Sequence, residues 1–165
     1  MKKYDFHSHL GQTTAGDKNS ADQLVKQLSE FGISKVGICC TSGNSMIEQN
    51  NVIYDAMCKY PDFVVGYAVI NPKDPHANDE IHRTLGEMKM NGVKFFSWKF
   101  GYAVENCPQL GAVIDEIGKY GVHIQIHAGA SPLCTPYVWI AHAKRRPDMK
   151  FVFTHICGRE FGYSC

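Results

Sequence analysis

Two histidines one residue apart, His7 and His9, close the first apolar run of the chain, Tyr4-Asp5-Phe6-His7-Ser8-His9. Residues i and i+2 of a strand face the same way, so the spacing predicts two imidazoles side by side at a strand end. Neutral imidazole nitrogen is a favoured zinc ligand, and a catalytic zinc ion usually takes three protein ligands, so the pair supplies half of a site. Alone, His-x-His also describes two surface histidines near a chain terminus. Two more histidines stand in matching surroundings: His127 ends an apolar run before Ala128-Gly129, and His155 ends another before Ile156-Cys157-Gly158. The remaining four read as bland. His76 follows Pro75 in a loop, His82 and His142 fall on predicted helices, and His123 lies four residues below His127.

The elements that must position these histidines alternate in type. Strands are predicted at about 3–8, 36–39, 63–70, 92–96, 122–127 and 150–155. Between them Ser20-Ala21-Asp22-Gln23 and Ser45-Met46-Ile47-Glu48 read as capping boxes opening helices to about Glu30 and Lys59. Further helices are predicted at about 78–90, 108–120 and 136–145. Alternation at this spacing implies right-handed βαβ units and a parallel sheet. No linker or low-complexity stretch divides the chain, so residues 1–165 read as a single domain.

Strand five separates an open sheet from a barrel. Val122, Ile124 and Ile126 face one way, and His123, Gln125 and His127 the other. An open doubly wound sheet has helices on both faces and needs both apolar, whereas the interior of a barrel opens onto an active site. The first strand is read likewise, with Asp5, His7 and His9 on one face. The expected architecture is a (β/α)8 TIM-barrel type, with about six βα units in this chain. Histidines ending strands one, five and six then converge on one mouth, where this fold keeps its active sites.

Composition narrows the partners. Of 165 residues, 44% are hydrophobic and 20% charged, and 17 basic against 16 acidic side chains leave a net charge of +1. That balance gives no electrostatic footprint for nucleic acid or for an anionic membrane, and no apolar run is long enough to span a bilayer. The start, Met-Lys-Lys-Tyr-Asp-Phe-His, lacks the apolar stretch of a signal peptide. Seven cysteines, an odd number without a Cys-x-x-Cys pair, argue against a disulfide framework or a structural zinc site and suit a reducing cytoplasm.

In these features the chain resembles the amidohydrolase superfamily of metal-dependent (β/α)8 hydrolases, in the branch called amidohydrolase-related or amidohydrolase 2. The resemblance rests on Asp5-Phe6-His7-Ser8-His9, on Tyr60-Pro61-Asp62-Phe63 through Asn71-Pro72, and on Gly92-Val93-Lys94-Phe95. It continues through His127-Ala128-Gly129 and Arg146-Pro147-Asp148 to His155. It implies that His7, His9 and His127 hold a divalent ion, most readily zinc. By the same resemblance His155 is either a second metal ligand or a catalytic group that activates water or substrate. Lys94 lies where some members carry a carboxylated lysine bridging two metals; a lysine that binds a substrate carboxylate, or a structural carboxylate, is the preferred reading. Trp98, Lys99 and Tyr102, after strand four, could line the substrate pocket or pack its rim.

The family pattern has eight strands and draws a catalytic aspartate from the end of the eighth. Asp5, Asp62 and Asp148 are not placed to replace it, so the sequence reads as C-terminally truncated, with edge strands that invite self-association. The implied activity is hydrolysis of an amide, ester or lactone carbonyl of a small molecule, with His155 stabilising the developing oxyanion; residues 1–165 alone, without that aspartate, are expected to have little or no activity. Decarboxylation of an aromatic or unsaturated acid, a lyase reaction, is the alternative, and a non-catalytic metal-binding fragment a third reading. The expected partners are a small-molecule substrate and other copies of the chain in a homo-oligomer.

Overall fold

The computed structural model describes residues 1–12, 18–43, 45–129 and 132–155. Six strands run parallel in chain order: β1 (Lys3–Gln12), β3 (Ile33–Cys40), β4 (Val64–Val69), β5 (Gly92–Phe95), β6 (His123–Ile126) and β7 (Lys150–Phe153). A two-residue strand β2 (Lys18–Asn19), which the sequence does not announce, pairs antiparallel with Gly11 and Gln12 at the far end of β1. The helices are α1 (Ala21–Glu30), α2 (Met46–Lys59), α3 (Ala77–Ile81), α4 (Ser97–Phe100), α5 (Leu110–Gly118) and α6 (Tyr137–Lys144). Both capping boxes form: Ser20 and Ser45 each accept from the backbone N–H three residues on, and the side chains of Gln23 and Glu48 reach back to the cap N–H. Such a cap is worth about 1 kcal/mol to its helix. The third predicted helix is α3 followed by a wider π turn over His82–Glu87. The loop after strand four contains the short α4. The predicted stretch beyond His155 lies outside the described residues.

Alternation divides the sheet into two faces. Val36, Ile38, Val93, Phe95, Ile124 and Ile126 pack outward against Ile53 of α2, Ile81 of α3 and Ile114 and Ile117 of α5, forming the main core. The opposite face carries Cys39, Tyr67, Val69 and Phe96 as a smaller cluster, and a row in which Val69, Lys94, Gln125 and Val152 lie in register.

The sheet curls around this second face. β1 and β6 are four strands apart in its order, about 19 Å if it were flat. Yet the Gln125 side-chain amide donates directly to the Phe6 carbonyl at 2.8 Å. Closure of that gap requires barrel curvature, with Gln125 and β1 facing each other across the interior. The architecture is the (β/α)8 barrel type, represented among the described residues by six parallel strands.

One part of the expected pattern differs. Asp5 does not share a face with His7 and His9, because β1 carries a bulge: Asp5 is in register with Val36, but Ser8 with Ile38. Three steps along β1 match two along β3, so Phe6 and His7 together stand opposite Gly37. The Asp5 carboxylate holds the bulge by accepting from the His7 backbone N–H at 3.0 Å and the Ser8 hydroxyl at 2.6 Å. Opposite it, Gly37 has no room for a side chain, since a Cβ there would lie 2.6 Å from the Phe6 carbonyl oxygen.

Candidate metal centre

Past the bulge, β1 alternates regularly, with Leu10 in the main core and His7 and His9 turned to the interior. Their rings are 4.4 Å apart, centroid to centroid. His127 follows β6 directly. His155 follows β7, but alternation would turn it outward, since Phe151 and Phe153 pack on the main core. Its backbone instead takes a left-handed conformation, φ +61°, uncommon for a residue other than glycine and often found at functional sites. The ring stands 4.6 Å from His127 and 4.9 Å from His7, and its Nε2 is 3.1 Å from His127 Nδ1. The four histidines thus gather at one mouth.

Hydrogen bonding settles the tautomer of His7. Gln125 uses its amide N–H on Phe6, so its Oε1 is the acceptor that faces His7 Nδ1 at 3.1 Å. His7 therefore carries its proton on Nδ1 and a lone pair on Nε2, and Nε2 is buried without a hydrogen-bond partner among the described residues. A fixed imidazole whose second nitrogen is held by an oxygen acceptor is how proteins orient metal-binding histidines. The orphaned atom and the imidazole donors fit a divalent cation.

Electrostatics keep these imidazoles in their ligand form. Burial, followed by the charge of Lys94, lowers His7 from 6.5 to about 2, His9 to about 4 and His127 to about 3. His155 is lowered by the same two causes. Lys94 is fully buried beneath the mouth and donates to the Thr154 hydroxyl at 2.9 Å, which in turn donates to the Ile126 carbonyl. Burial brings Lys94 down to about 8.

The structure sorts the other expected residues. Trp98 is half exposed at the mouth, 5.6 Å from His127. Lys99 ties α4 to its surroundings through the Thr41 carbonyl and Gln49. Tyr102 goes elsewhere: a left-handed turn at Gly101 folds the chain back, its N–H bonds to Ser97, and the ring enters the main core with 4% exposure. Two residues at the site were not singled out from sequence. The sequence pattern sets Gln125 on the polar face of its strand without assigning it a role. Cys39 lies in register with His9 on the neighbouring strand, and ligand atoms of His7, His9 and Cys39 all fall within 4.8 Å of one another. His127 is outside that triangle and meets His155, Phe96 and Trp98 instead.

Residues 18–159 match the family model described as Amidohydrolase. The chain belongs to the amidohydrolase family. Solved structures agree on the fold. The 2,6-dihydroxybenzoate decarboxylase from Rhizobium is 14% identical with a TM-score of 0.69, the match covering 92% of this chain and 65% of that one. A 5-carboxyvanillate decarboxylase from Novosphingobium aromaticivorans, solved with manganese, is 15% identical with a TM-score of 0.67, covering 92% and 64%. A protein from Acinetobacter baumannii described as a probable 2-pyrone-4,6-dicarboxylic acid hydrolase is 16% identical with a TM-score of 0.68, covering 95% and 59%. This amidohydrolase chain therefore spans about 59–65% of the length of these relatives. A sequence comparison with curated proteins finds no match. No helix among the described residues is long and apolar enough to cross a membrane.

Proposed function

We propose that the protein acts as a metal-dependent hydrolase of the amidohydrolase type, on an amide, ester or lactone carbonyl of a small molecule. The observation that carries this reading is the buried, unpartnered Nε2 of His7, oriented by Gln125 beside His9. His7 and His9, with His127 across the mouth, are the residues that would hold the ion. A divalent cation, with zinc preferred here, supplies Lewis-acid polarisation of a carbonyl and acidification of water. The protein's own groups do the rest. Gln125 holds the tautomer of His7, and the interior keeps all three imidazoles unprotonated. His155, hydrogen-bonded to His127 and open to the mouth, would stabilise an oxyanion or pass a proton. Lys94 sets a positive potential beneath the site that favours an anionic substrate, and Trp98 offers an aromatic wall.

A second reading is decarboxylation of a small carboxylic acid. The buried cation of Lys94 supports it, as do the two decarboxylases among the similar folds. Both readings are tested by loading the protein with Zn²⁺ or Mn²⁺ and assaying a panel of amides, lactones and aromatic carboxylic acids. Any metal-dependent turnover that is found is expected to be hydrolysis; carbon dioxide release without hydrolysis selects the second reading. Elemental analysis should find one metal per chain in the parent and a loss of most of it in the His7→Ala, His9→Ala double variant. Unchanged metal content in that variant sinks both.

A further inference from the structure

We propose that Cys39 is a ligand of the metal held by His7 and His9, giving the site a sulfur donor from the second parallel strand. The inference rests on the metal-dependent reading above, and adds to it a residue that the family resemblance does not assign.

Position is the first argument. Cys39 is the direct in-register neighbour of His9, and parallel strands in register turn paired side chains to the same face. Its sulfur, with one nitrogen each from His7 and His9, forms a triangle whose atoms are all within 4.8 Å. Ligands around a tetrahedral zinc ion stand about 3.5 Å apart, so small side-chain rotations close the set without moving backbone. The adjacent cysteine provides an internal contrast. Cys40 packs on the main core, and its thiol donates to the Ser42 carbonyl at 3.0 Å. Cys39 has only a 4.0 Å contact to the Ser8 carbonyl, which leaves its sulfur uncommitted.

Charge is the second argument. The site as built contains neutral imidazoles and the Lys94 cation, and a divalent ion adds more positive charge. No carboxylate joins the donor triangle among the described residues. Among the described residues, the acid that acts on His9, Asp5, is occupied in holding the β1 bulge. Cys39 is the member of the triangle that can bind as an anion, because a coordinating thiol is deprotonated outright. A thiolate also selects among metals: sulfur favours zinc and cobalt over the oxygen-preferring manganese and magnesium.

The test uses the metal alone. Co²⁺-loaded protein should show an intense near-ultraviolet sulfur-to-cobalt charge-transfer band. Cys39→Ala should abolish the band and weaken Zn²⁺ binding about tenfold or more, while Mn²⁺ binding changes little. Cys40→Ala should keep the band. Should the Cys39 variant fail to fold, X-ray absorption at zinc in the unaltered protein still decides, since a sulfur ligand scatters at about 2.3 Å and nitrogen at about 2.0 Å. Stoichiometric metal with only nitrogen and oxygen ligands overturns the role of Cys39 and leaves the metal-dependent reading standing. A band that survives Cys39→Ala also overturns it. Failure to bind any divalent metal overturns both.

Discussion

At the mouth of the barrel, a histidine's function depends on which of its nitrogens is committed. His7 Nδ1 is taken by Gln125, and its Nε2 is left with a lone pair and no water-facing surface. Keeping that imidazole neutral has a consequence for stability. In the unfolded chain His7, His9 and His127 titrate near 6.5, whereas in the fold they are held at about 2, 4 and 3. Between those values the unfolded state binds protons that the folded state does not, so stability falls as pH drops below 6.5 and rises with pH through the same window. The carboxylates whose values the fold depresses, Asp22 and Asp115, start from 3.8. The range from pH 7.5 down to 5 therefore isolates the histidines. Urea denaturation of metal-free protein should show a lower midpoint at pH 5 than at pH 7.5, and His7→Gln with His9→Gln should reduce the difference, leaving the share of His127, His155 and His142. A midpoint independent of pH over that range would contradict burial of neutral imidazoles.

The strands and helices were legible because period-2 and 3.6-residue patterns need only local sequence, and the order of the six strands follows from their alternation with helices. His7 and His9 were legible as an i, i+2 pair, and His127 as the end of a run whose parity is set by Ile124 and Ile126. Cys39 was not. Val36, Ile38, Cys39 and Cys40 are all apolar, so nothing in β3 itself says which face is inner; register against His9 decides it. His155 reaches the mouth through a left-handed residue rather than through alternation. The bulge that displaces Asp5 is likewise a matter of pairing with β3. Gln125 shows what the pairing achieves, because one side chain on β6 ties down both the Phe6 carbonyl and the His7 ring of β1. Gln125→Leu should keep the size and remove both contacts. Metal affinity should drop about 10–100-fold, the usual cost of losing a group that orients a ligand, as measured by competition with a chromogenic chelator. An unchanged affinity would mean that His7 needs no such support.

At the scale of the whole sheet, the decisive feature is a curl that leaves two sides free among the described residues. Among the described residues β1 is paired on one side by β3 and on the other only at Gly11 and Gln12, and β7 is paired only with β6. Unpaired strand edges offer a row of backbone donors and acceptors to any other strand. Next to the β1 edge, Tyr4 is 58% and Phe6 49% exposed. Together with Val36, Val65 and Tyr67 they border a cavity of about 240 Å³. An apolar surface beside an open edge is a site for association when it is contiguous. Residues 1–165 should therefore self-associate, with the mass from light scattering rising with concentration. Phe6→Lys should shift that rise to higher concentration, because a charge on the edge opposes pairing. The carbonyl that Gln125 uses belongs to the backbone and is retained in that variant, so the metal site provides a check that the fold survives. A protein that stays monomeric at every concentration would mean that these edges are covered, and that the surface around Phe6 is not available to a second copy.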